Sequence, residues 1–188
     1  MWLKLLQIAN LAIRKLAVVS DKAAKNRGDF SLPAVPAVRQ YITLDAYLMK
    51  RNNVPKWRAE FTAEHLKNAE NLLERVNSVL EKAPPGFKFK VTSGWRPAQY
   101  NAEIGGALRS RHITCQAVDL ADNDHSIGAW LSSRRDLLIQ ADLAIEDLRY
   151  CVCKASNGKI LRWVHIQTPP PRSGNRVFIP YPGGPPKL

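Results

Sequence analysis

The stretch Ser110-Arg111-His112-Ile113-Thr114-Cys115-Gln116-Ala117-Val118-Asp119-Leu120 decides how this chain is read. His112 and Asp119 are separated by six residues, and Asp119 lies in a short alternating apolar run of the kind a strand carries. If 117–120 is a strand, Val118 and Leu120 anchor it in the core, while Asp119 shares the opposite face with small Ala117. One face is then free for chemistry.

Further along, Arg162-Trp163-Val164-His165-Ile166-Gln167 alternates in the same way. Val164 and Ile166 fall on one side, and Trp163, His165 and Gln167 on the other. As neighbours, the two strands bring two imidazoles and a carboxylate together. His112, Asp119 and His165 would then make a three-ligand zinc site with a fourth position for water, the arrangement of a catalytic zinc. Zn2+ is therefore the expected cofactor; the plainer reading is a hydrogen-bonded histidine pair in the core.

Upstream stand Ser93-Gly94-Trp95-Arg96-Pro97, Asn101 and Gly105-Gly106-Ala107. Taken in order with Ser110-x-His112, Ala117-x-Asp119 and Trp163-Val164-His165, these fragments resemble the zinc D-Ala-D-Ala carboxypeptidase and L-Ala-D-Glu endopeptidase family of peptidoglycan peptidases. The likeness runs from Ile42 to Pro180. The ending Pro170-Pro171-Arg172-Ser173-Gly174, followed by Arg176 to Pro180, is similar to the phage and prophage members.

The resemblance implies a hedgehog-like zinc fold, a peptidoglycan peptide as substrate, and His112, Asp119 and His165 as metal ligands. It implies that Arg96 clamps a substrate carboxylate or the developing oxyanion, against a structural salt bridge as the plainer role. Ser110 is expected to hydrogen-bond substrate, or else only to cap its turn. Trp95 and Trp163 are candidate cleft walls, although tryptophan usually packs in a core. Much of the family has a glutamate three residues before the last histidine, where this chain has Arg162. Phage-type members carry a Glu-Asp pair on the preceding strand instead, and Ile145-Glu146-Asp147 stands in that place. Glu146 is thus the candidate general base, with an ordinary surface carboxylate as the alternative.

At 188 residues the chain suits one domain with a real core. The formal net charge of +12 implies attraction to polyanions such as nucleic acid, an anionic membrane or a bacterial wall. The basic residues form no aromatic-basic motif, so no specific nucleic-acid partner is expected. Three cysteines, Cys115, Cys151 and Cys153, argue against a disulfide framework. Cys115 stands where the family pattern usually has glycine, which puts the local turn in question. Cys151 and Cys153 would face one way on a strand.

The expected domains are residues 1–40, an amphipathic helix and linker; 41–182, the peptidase; and 183–188, a tail. The first segment is too interrupted by charge to span a bilayer and makes a poor signal peptide, so membrane-surface or protein contact is expected of it. Within the domain, the sequence predicts a short helix over Thr43 to Met49 and a core helix capped by Thr62 and running to about Lys82, with His65 solvated in its first turn. It also predicts a strand over Phe87 to Val91, a helix near Ala98 to Ile104, and a second amphipathic helix over Ile127 to Gln140. A turn at Asp122-Asn123-Asp124 would leave His125 on the surface. A hairpin at Ser156 to Lys159 leads into the His165 strand. Helices beside a small antiparallel sheet make an α+β domain.

The function expected is a zinc-dependent, endolysin-like carboxypeptidase or endopeptidase. The rival is a catalytically silent zinc domain of a virion or wall-binding component. Location stays open between host cytoplasm before lysis and the virion.

Overall fold

A computed structural model describes residues 40–180, and the expected N-terminal helix, linker and C-terminal tail lie outside the described residues. The elements run α1 (Leu44–Leu48), a 3-10 turn (Arg51–Asn53), α2 (Pro55–Arg58), α3 (Ala63–Leu80), β1 (Val91–Ser93) and α4 (Ala98–Glu103). They continue with β2 (Ala117–Ala121), α5 (Ser126–Ser133), α6 (Arg135–Gln140), β3 (Ala144–Glu146), β4 (Val152–Lys154), β5 (Ile160–Gln167) and β6 (Val177–Phe178).

The long helix α3 begins as its sequence dictates. Thr62 accepts from the His65 backbone, and the His65 ring accepts from the Thr62 backbone, so two unpaired donors of the first turn are satisfied reciprocally. His65 is therefore half-buried, stacked on Phe61 and near Trp95, rather than simply solvated. Ala69, Leu72, Leu73, Val76, Val79 and Leu80 form the buried stripe of the helix. Asn77, also buried, accepts from the backbone of Tyr41 and Ile42 and donates to the Ile42 carbonyl, pinning the chain leading into α1 onto α3.

The sheet has the order β1-β2-β5-β3-β6, with β4 pairing the outer half of β5. All pairings are antiparallel except β3 with β6. The loop after Gln167 carries the chain past β3, so that β6 runs alongside it in the same direction. Val118, Leu120, Ile145, Val164 and Ile166 turn one sheet face to the helices and fill the core. The opposite face carries Asp119 and His165.

Three expectations change. Strand β1 starts only at Val91, because β2 stops at Ala121 and leaves the preceding residues a single pairing bond, Ala121 to the Lys90 carbonyl. Phe87 and Phe89 pack as aromatic edges on Trp130 and Tyr41 instead. The helix expected over 127–140 breaks into α5 and α6 at Arg134, whose backbone is non-helical and whose guanidinium holds Asp136 in the first turn of α6. Cys151 is buried just before β4 while Cys153 is exposed, so the two do not share an environment.

Candidate metal centre

Asp119 and His165 are cross-strand partners in the β2–β5 ladder, so their side chains rise from the same face at the same height. His165 Nδ1 lies 2.8 Å from Asp119 Oδ1. His112 reaches them from a turn rather than a strand. Its Nδ1 sits 2.8 Å from the Gly94 carbonyl, and its own carbonyl accepts from the Arg96 backbone at 3.1 Å, so the segments 94–96 and 112 lock each other. Gly94 is obligatory there, because a Cβ would fall 1.8 Å from the Tyr47 carbonyl oxygen. Gly106 is similar, since a Cβ would meet the side chain of buried Asn101, which ties the loop by donating to the Ala107 carbonyl.

Cys115 closes this turn at φ 57°, the left-handed conformation natural to glycine. Its thiol is fully buried and beside Tyr47, and burial pushes it up to about 12. It stands outside the group of potential metal ligands.

His112, Asp119 and His165 present ligand atoms that all lie within 4.8 Å of one another, and all three are nearly enclosed. The donors fit a metal. A His112 Nδ1–H donated to the Gly94 carbonyl leaves Nε2 with its lone pair inward, and Nε2 is buried without a hydrogen-bond partner although Asp119 Oδ1 is 3.2 Å away. Gln167 Oε1, 3.3 Å from His165 Nε2, likewise leaves Nδ1 for the site. Burial alone would raise Asp119, but the two imidazoles outweigh it and hold the carboxyl well below the usual carboxylate range. Burial lowers His112 toward its neutral, ligating form. For His165 the burial effect is outweighed by its hydrogen bond and charge contact with Asp119, and its value is raised.

Arg96 donates from Nη2 to Asp119 Oδ2 at 2.8 Å and from Nε to Ser93 Oγ at 2.8 Å. The salt bridge weighed from the sequence is present, and it fixes the orientation of the carboxylate. Glu146 ends β3. One residue on from the Ile145–Ile166 pair, it stands level with His165, and on its other side it faces Phe178 of β6. Ser93, Asp119, His165, Glu146 and Phe178 thus form one row across five strands. Glu146 is half-buried, and burial raises its carboxyl.

The remaining expected site residues divide. Trp163 lines a groove of about 440 Å³ that runs beside Asp119 and Arg96. Trp95 does not wall it: the indole is 1% exposed and packed on Phe61 with ring centroids 4.9 Å apart. It follows Gly94 on the core side, so its bulk fills the gap between sheet and α3. Ser110 Oγ accepts from the His112 backbone at 3.3 Å, the turn-capping role.

Asp122 was legible only as a turn residue. It is buried, and its two oxygens accept from the Ile127 and Gly128 backbone at 2.9 and 2.8 Å, holding the start of α5. His125, at φ 60°, is half-buried rather than on the surface, and belongs to that helix start, not to the metal group.

A family model described as Peptidase M15 matches residues 48–138, a span that holds His112, Asp119 and Arg96 and ends before Glu146 and His165. No curated protein and no solved structure gives a significant match.

Proposed function

We propose that this chain, which matches the Peptidase M15 family model over residues 48–138, is a zinc-dependent peptidase cleaving peptidoglycan stem peptides or their crosslinks, with an endolysin-like role. One observation carries the reading: the row Asp119, His165 and Glu146, with His112 closing over it, sets a potential general base next to three metal donors. When bound, zinc supplies Lewis acidity toward the scissile carbonyl and the attacking water.

The chain's own residues do the rest. Glu146 takes the proton of the attacking water on its carboxylate as the C–O bond forms, and then returns it to the amide nitrogen, so that the C–N bond breaks and the amine departs. Its raised value suits a group that must both accept and give back a proton. Arg96 positions Asp119 and has Nη1 left for a substrate oxygen, since its hydrogen bonds to Ser93 and Asp119 use Nε and Nη2. Gly94 and Gln167 hold the two imidazoles in the tautomers that ligation needs. Trp163 offers an apolar wall to the substrate. Arg162 in place of the usual glutamate does not empty the base position, because Glu146 reaches the same metal face from the next strand.

Mass spectrometry of purified muropeptides, incubated with the protein with and without a zinc chelator, tests this. Chelator-sensitive cleavage is the expected result, and the product masses name the bond. Intact muropeptides beside a zinc-loaded protein would leave a silent metal-binding domain.

A further inference from the structure

The groove beside Asp119 carries an unusual charge balance. Arg51, Lys90, Arg96, Lys159 and Arg162 line it, against one acid, Asp119. Arg96 is matched to that acid, and among the described residues the other four have no carboxylate partner. Arg51 and Arg96 come from the helical side, while Lys159 and Arg162 come from the β4–β5 hairpin, so cations stand on both flanks. Arg51 is held in place, its guanidinium donating to the Trp95 carbonyl and lying 4.7 Å over the Tyr100 ring. Like charges gathered in a concavity repel one another and focus a positive potential, which an anionic ligand relieves.

The groove also has a length. It follows the strands from the Asp119–His165 pair out to Leu161, four residues along β5, or about 13 Å at strand rise. An extended peptide of about four residues spans that distance.

We propose that this groove is a subsite for an acidic peptide segment of about four residues carrying at least two free carboxylates, which makes the preferred substrate an unamidated stem peptide rather than a dipeptide. The inference rests on the peptidase reading for the meaning of the segment, but the groove's preference can be measured without turnover.

The experiment compares two synthetic N-acetylated tetrapeptides, N-acetyl-L-Ala-D-γGlu-L-Lys-D-Ala, which is net anionic, and the same peptide with both carboxylates amidated, on the zinc-loaded full chain. Calorimetry gives affinity, and mass spectrometry gives cleavage. The acidic peptide should bind at least about tenfold more tightly, as loss of charge-assisted hydrogen bonds dictates. The Lys159→Gln,Arg162→Gln double variant should erase most of that difference by weakening the acidic peptide, with no loss of affinity for the amidated one. Lys159→Gln alone, at an exposed hairpin position, should reduce it by a few-fold and guards against misfolding of the double variant. Equal affinity for the two peptides, or variants that lose both alike, would overturn the subsite. So would displacement of the acidic tetrapeptide by poly-L-glutamate at equal carboxylate concentration, which would reduce the groove to bulk charge. Cleavage of both peptides with no preference would retain the peptidase and remove the subsite. A tenfold preference without any cleavage would retain the subsite, and the peptidase reading would then be decided by the muropeptide digest, because this tetrapeptide holds no D-Ala-D-Ala bond or crosslink.

Discussion

Asp119 and His165 face each other directly across the β2–β5 ladder, with 2.8 Å between Asp119 Oδ1 and His165 Nδ1. Cross-strand pairing at the centre of a sheet is a rigid way to hold two ligands, because neither can move without breaking the ladder. The third donor, His112, has no such support and depends on Gly94 and on the turn closed by Cys115. The site is therefore stiff on one side and held by a loop on the other.

Glu146 is the residue on which turnover should depend without metal loss. Glu146→Gln keeps the shape and removes the base, so kcat should fall by about 10²–10⁴. Zinc content, measured by elemental analysis, should stay at the wild-type level. Undiminished turnover would remove Glu146 from the mechanism.

On the metallopeptidase reading, Arg96 would act on a bound metal through Asp119. Arg96→Gln leaves Asp119 Oδ2 without its charged partner, and zinc affinity should drop by about 10–100-fold. Competition with a fluorescent chelator measures this. An unchanged affinity would mean that the β2–β5 ladder alone orients the carboxylate.

The metal-free protein should show a pH signature of Glu146. Burial raises this carboxyl, with His165 opposing and Asp119 and Asp147 adding to the rise. The folded state then binds the proton more tightly than the unfolded state, whose value is about 4.3. That stabilisation is fully present below the unfolded value and is lost as pH rises through the folded one. Glu146→Gln, which carries no charge, should therefore melt higher than wild type at pH 7 and approach it below about pH 4. A melting difference that stays constant over this range would show that the carboxyl is not raised.

Cys115 tests the turn. Its left-handed backbone resists branching at Cβ, so Cys115→Val should cost about 2 kcal/mol or more. Cys115→Gly trades a buried thiol for relief of that conformation and should stay within about 1 kcal/mol of wild type. Urea unfolding reads both. Equal losses would point to packing rather than backbone conformation as the controlling factor.

Much of the candidate metal centre was legible because its grammar is local. Alternation in 117–120 and 162–167 assigns Val118, Leu120, Val164 and Ile166 to the core and leaves Asp119 and His165 on the other face, and the structure has them there. The Thr62 cap and the stripe of α3 were equally visible, since capping and helical periodicity need only neighbours within a few residues.

What the sequence by itself determined, then, was which residues can ligate and which faces they share. Only the tertiary structure decided who stands beside whom. The register of β3 against β5 brings Glu146 level with His165; the closeness of Gly94 to Tyr47 turns Trp95 inward; and the fold of 93–119 spends Arg96 on Asp119. Asn77, Asp122 and the cationic groove belong to the same class, because each depends on partners from distant stretches of chain. Side-chain periodicity is a property of one segment, whereas register and enclosure are set by the packing of several, and no single segment encodes them.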